Sequence, residues 1–149
     1  MLGPGLIIGL VILIFSVIIH EITHGLAALF LGDPTAKHAG RLTLNPISHI
    51  DLFGTILLPG ILILSGSPII FGSAKPVPIN PRYFEEPRKD MAIVGLAGPA
   101  ANFLLAGIAA VLYHLFLGSM IGSYTTLILA SLLAIAKINL LLGVFNLIP

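Results

Sequence analysis

The sequence predicts an all-α polytopic membrane protein: three core transmembrane helices plus an apolar segment, broken by proline and glycine, that is either re-entrant or a fourth span. Three observations carry that prediction. Charged residues make up only 9% of the 149-residue chain, against about 25% in soluble domains. The mean hydropathy is +1.10, so the chain has too little polar surface to face water on every side, and a bilayer is its natural solvent. The apolar residues gather in four stretches, 4–31, 53–72, 91–117 and 122–149, separated by two polar segments and a short turn at LGSMIGS.

Taken in order, the first stretch runs from Leu2 to Leu31 and is long enough to cross a bilayer. It has no basic n-region and no small-x-small cleavage site, and it outruns a signal peptide, so it reads as a retained helix. The second stretch, LFGTILLPGILILSGSPIIFG, is interrupted at Pro59, Gly60, Gly66 and Pro68. These residues break helical hydrogen bonding, and the segment spans or returns only where protein covers the freed backbone groups. The third and fourth stretches each supply the roughly 20 residues a span needs. No linker or repeat divides the chain, so residues 1–149 read as one membrane-embedded domain.

The cations bear on the second stretch. Lys37 and Arg41 lie in the first polar segment; Lys75, Arg82, Arg88 and Lys89 lie in the second. If the second stretch returns to its own side, all of these face one side, and the positive-inside rule puts loops 32–54 and 73–90 in the cytoplasm of a multi-pass cell-membrane protein. The run KPVPINPRYFEEPRKD (75–90) is extended, because each residue before a proline is biased away from the helical region. It is either a surface connector or an edge that pairs with an unfolded substrate strand. A net charge of +1 without basic–aromatic runs gives no sign of a nucleic-acid partner, and the absence of cysteine excludes disulfides and thiolate metal sites.

His20, Glu21 and His24, in the greasy run FSVIIHEITHG, spell H-E-x-x-H. On a helix the two histidines share a face and can aim at one point, while Glu21 lies about 100° around the helix at the edge of that site. This is the zinc-peptidase arrangement: two neutral imidazoles bind Zn2+ and the glutamate serves as general base. A merely structural polar patch would more cheaply use Ser, Thr or Asn, since an acid at mid-membrane costs about 2.5–3.5 kcal/mol. Gly25, Ala27 and Ala28 keep the face slim enough for another helix to approach. A catalytic zinc normally takes three protein ligands. His49, Asp51 and His114 are candidates for the third, though each also reads as an interfacial polar residue or turn cap, and Lys137 cannot ligate while protonated.

These motifs resemble the site-2 protease family of intramembrane zinc metalloproteases, peptidase family M50, in its compact form without a PDZ domain. HEITHG (20–25) is similar to the family's metal motif, LAGPAANFLLA (96–106) to its Gly-Pro-x-x-Asn helix, and INLLLGVFNLIP (138–149) to the approach to its Asn-x-x-Pro…Asp-Gly motif. RLTLNPISHIDLFGT and GSAKPVPINPRYF are similar to the segment between them in one subgroup. The resemblance implies that His20 and His24 ligate zinc, that Glu21 is the catalytic base, and that Asn102 and Asn146 bind substrate. It implies a transmembrane protein as substrate, cut within or near its spanning segment, and an H-E-x-x-H helix antiparallel to the Gly-Pro-x-x-Asn helix. In the family the third ligand is the aspartate of Asp-Gly; here the chain ends at Pro149, before one appears. The expectation is therefore a truncated form that binds zinc weakly and cleaves poorly unless Asp51 or another chain completes the site. Two other classes compete: a transporter or ion pathway through His20, Glu21, His24, His114 and Lys137, and a catalytically inactive membrane scaffold.

Overall fold

The structure, a computed structural model, describes residues 4–67, 73–118 and 124–148. Within these residues the regular elements are all helical: α1 (Pro4–Phe30), the single turn α2 (Thr35–His38), α3 (Leu58–Leu64), α4 (Pro87–Leu117) and α5 (Thr125–Phe145). Short 3-10 turns lie at Pro46–His49 and Pro81–Tyr83, and a π-helical turn, Leu52–Leu57, leads into α3. Helices α1, α4 and α5 are long and apolar enough to cross a membrane. Their outer faces expose residues such as Leu10, Val11, Leu104, Leu115 and Leu141, as a lipid-facing surface does.

Helix α1 runs against α4 with opposite polarity: His20 meets Asn102 while His24, further along, meets Val94. The C-terminus of α1 and the N-terminus of α4 are therefore on the same side, and the chain between them leaves and returns. The second apolar stretch does so visibly. Leu52–Leu64 is short for a span, and beyond it the Ser73 N–H donates to the Gly54 carbonyl at 3.0 Å while Thr55 Oγ1 donates to the Ser73 carbonyl at 2.7 Å. Ser73 thus lies beside Gly54, near the start of the segment, as the re-entrant alternative requires. Pro68, counted among its breaks, and most of the LGSMIGS turn lie outside the described residues, as does Pro149.

Helix ends follow local chemistry. Gly32, at φ 99°, takes the left-handed position after α1 and lets the Asp33 N–H reach back to Ala28 at 2.8 Å, a Schellman-type stop. Asp33 is fully buried and accepts from the N–H and hydroxyl of Thr35 and from the Asn80 N–H. Burial pushes its carboxyl up, but these donors outweigh it and hold it below the usual value. Helix α4 begins four residues before its apolar stretch because Pro87 suits the first helical position and the Asp90 carboxylate accepts the Glu86 N–H at 3.0 Å. Pro99 lies well inside α4, where it cannot donate to Gly95.

Candidate metal centre

The site is built where α1, α4 and α5 meet. Helical spacing stacks His20 and His24 on one face of α1, and each Nδ1 finds a partner on α4: His20 with Asn102 Oδ1 at 2.7 Å, His24 with the Val94 carbonyl at 2.6 Å. The two Nε2 atoms then face each other at 3.0 Å.

The tautomers follow from a chain of donors and acceptors that begins at a group with no ambiguity. The Ile135 main-chain carbonyl can only accept, so the Asn139 atom 2.9 Å from it is the amide nitrogen. Asn139 also donates to Ser16 Oγ at 2.9 Å, and its oxygen accepts from Asn102 Nδ2 at 3.1 Å. Asn102 must then turn its oxygen to His20, and His20 Nδ1 must donate. Val94 imposes the same on His24. With both rings neutral, as metal-ligating imidazoles are, the two Nε2 atoms carry lone pairs aimed at one another. Such pairs repel unless a cation lies between them, and two nitrogens about 2.0–2.1 Å from a tetrahedral zinc stand about 3.3 Å apart. The donor set fits a metal that takes imidazole nitrogen.

This buried polar relay crosses three helices. Asn102 and Asn139 have no exposed surface, Ser16 is 4% exposed and His20 is 6% exposed. Gly98 closes the site from α4: a Cβ there would lie 2.6 Å from His20 Nε2 and closer still to His24 Nε2. Glu21 lies beside the pair, partly exposed, with Oε2 accepting the Val77 N–H at 2.9 Å.

Other sequence candidates stand elsewhere. No third His, Asp or Glu joins the two imidazoles among the described residues. Asp51 caps the π-helical turn by accepting the Gly54 N–H at 2.6 Å. His49 is buried in the loop, where its Nε2 donates to Thr43 at 2.8 Å. His114 and Lys137 are exposed. Asn146 is exposed at the end of α5 and donates to the carbonyl of Leu142, within its own helix, at 2.8 Å. Asn102 has both ends of its amide committed to protein partners. Gly25 does keep α1 slim, and what fills the space is Leu42 and Val77 from the connecting segments together with Ala36 of the short helix α2.

Sequence reasoning passed over Gly98, Asn139 and Ser16. For Gly98, its position four residues before Asn102, on the same face of α4, was the available signal. Asn139 was a polar side chain in an otherwise apolar span, which is itself a marker of function.

Residues 8–131 match the family described as Peptidase family M50. Over 99% of its length the chain is 40% identical to YwhC of Bacillus subtilis (strain 168), a protein provisionally named a zinc metalloprotease. Over 62% of its length it is 34% identical to Rip2 of Mycolicibacterium smegmatis, named in the same way. It spans 64% of the length of YwhC, and the Rip2 match spans 34% of that protein. No solved structure matches. With the family match running over most of its length and across the helices that build the site, the chain belongs to peptidase family M50.

Proposed function

We propose that the chain forms the catalytic core of an intramembrane zinc endopeptidase that hydrolyses peptide bonds within or near the transmembrane segments of membrane proteins. The observation that carries this reading is the convergence of the His20 and His24 Nε2 atoms, with Glu21 next to His20 on the same turn of α1. His20 and His24 would hold the zinc, with a third ligand supplied from outside the described residues. When bound, zinc polarises a carbonyl and makes water a competent nucleophile at neutral pH. Glu21 takes the proton of the attacking water and delivers it to the leaving amine. Asn102 acts through His20: its oxygen holds Nδ1–H, and with it the ring orientation and tautomer, as outer partners of ligating histidines do. A substrate contact, which the resemblance suggested for Asn102, would require one end of its amide to be released. Asn146, exposed at the end of α5, is free to meet substrate.

The antiparallel pairing of α1 and α4 supports placing loops 32–54 and 73–90 together on one side, and their cations favour the cytoplasm. A polar ion pathway finds less support, because His114 and Lys137 lie on exposed surfaces rather than in line with His20. The test uses the full-length protein in detergent, with bound zinc and cleavage of a labelled single-span membrane protein measured for wild type and Glu21→Gln. The reading requires zinc in both and cleavage in wild type alone. A metal-loaded wild type that never cuts would leave the scaffold or transport alternatives.

A further inference from the structure

Loop 41–55 and the extended run 73–80 carry more buried polar chemistry than a connector requires. Arg41 is 6% exposed, and its guanidinium pairs with no carboxylate among the described residues. Nη1 donates to the Ser48 carbonyl, and Nη2 donates to the carbonyls of Lys75 and, at 3.2 Å, Pro76. Taking a guanidinium out of water onto neutral carbonyls is costly, and what it fixes is the path of the extended run. Three other groups grip the same run. The Ser73 N–H is held by Gly54, the Lys75 N–H by the His49 carbonyl at 3.0 Å, and the Asn80 N–H by Asp33 at 2.7 Å. Between these anchors, the Val77 N–H points at Glu21 Oε2.

The alternation is that of extended backbone. The amides of residues 73, 75 and 77 turn inward onto protein, whereas positions 76 and 78 are prolines and have no N–H to offer. An outer edge without donors at two successive outward positions is poorly suited to pair with a substrate strand, which disfavours the substrate-edge role considered for this run. The inner edge, in contrast, ends on the general base.

We propose that Arg41 is a positioning residue for Glu21: by locking the carbonyls of Lys75 and Pro76 it fixes the Val77 N–H, which in turn orients the Glu21 carboxylate. The proposal rests on the protease reading above. Arg41 touches neither substrate nor reacting atoms, and its effect reaches them through one main-chain hydrogen bond. A base displaced by about 1 Å can cost on the order of 100-fold in rate.

The test uses the full-length zinc-loaded protein and the same labelled single-span substrate. Val77→Pro deletes the donor to Glu21 and leaves Arg41 in place; Arg41→Met deletes the clamp. Both are expected to lower kcat about 10- to 100-fold, with KM and bound zinc essentially unchanged, and Arg41→Lys is expected to recover part of the loss. Hydrogen exchange at the Val77 amide, slow in wild type, should quicken about tenfold or more in Arg41→Met. Wild-type kcat in Val77→Pro overturns the proposal, and so does unchanged Val77 protection in folded Arg41→Met. If Arg41→Met does not fold, Val77→Pro decides. If zinc-loaded wild type does not cleave, the protease reading fails separately, and the exchange comparison still decides whether Arg41 controls the Val77–Glu21 contact.

Discussion

Two regions converge on the H-E-x-x-H turn of α1, and they are built by opposite means. On the bundle side, side chains pair with side chains: Ser16, Asn139, Asn102 and His20 form a relay in which nearly every polar end has one partner. On the loop side, side chains pair with backbone: Asp33, Arg41, Asp51 and Thr55 satisfy the main-chain groups of segments that have no helix to do it. The difference follows from geometry. Helices satisfy their own amides, so a bundle brings mainly side chains to a site, the Val94 carbonyl on His24 Nδ1 being the exception here. Irregular chain at the membrane edge must find partners for every amide, because lipid offers none. His20 and His24, the proposed zinc ligands, are thus oriented by the bundle, and Glu21, the proposed base, by the loop.

The comparison can be broken from the bundle side first, with the largest effect. Gly98→Ala places a methyl group against both Nε2 atoms, so stoichiometric zinc should be lost, a larger effect than the 10- to 100-fold typical of removing an outer partner. Metal analysis of the purified variant beside wild type measures this, and full zinc content would show that α4 does not close the site. Next comes Asn139→Leu. It leaves Asn102 Nδ2 buried without a partner, at about 1–3 kcal/mol, and frees Asn102 to rotate away from His20. Zinc affinity should fall about 10- to 100-fold in competition titrations with a chelator; unchanged affinity in a folded variant would sever the relay from the metal.

The smallest effect on zinc is expected from the loop side. Asp33→Asn removes an acceptor from the Asn80 N–H and should destabilise by about 1–3 kcal/mol while zinc content stays at the wild-type level. Because the Asp33 carboxyl is held below its ordinary value, its contribution is present above that ordinary value and is lost as pH falls through the lower folded one. Thermal unfolding followed from pH 7 downward should show this acid limb in wild type and a weaker one in Asp33→Asn. Identical limbs would remove Asp33 from the clamp.

Much of this molecule was legible before any coordinates. Three long apolar runs gave three helices long and apolar enough to span, Pro59 and Gly66 marked the broken segment, and the spacing of His20 and His24 put both on one face of α1. These are properties of single elements, and they follow from hydropathy and a period of 3.6. The partners across elements were not legible. Nothing in the spacing of Asn139 says that it sets the amide orientation of Asn102, and nothing in RLTLNP says that Arg41 reaches the carbonyls of Lys75 and Pro76.

By itself, then, the sequence determined the number and length of the apolar helices, the face on which the two histidines lie, and the family to which those motifs point. The tertiary structure alone decided which ring nitrogens are tied and which face each other, that Gly98 leaves them room, and that a main-chain N–H holds the Glu21 carboxylate. The reason is physical. Periodicity places a side chain on its own helix, but a hydrogen bond's direction depends on where a second, sequence-distant segment comes to rest.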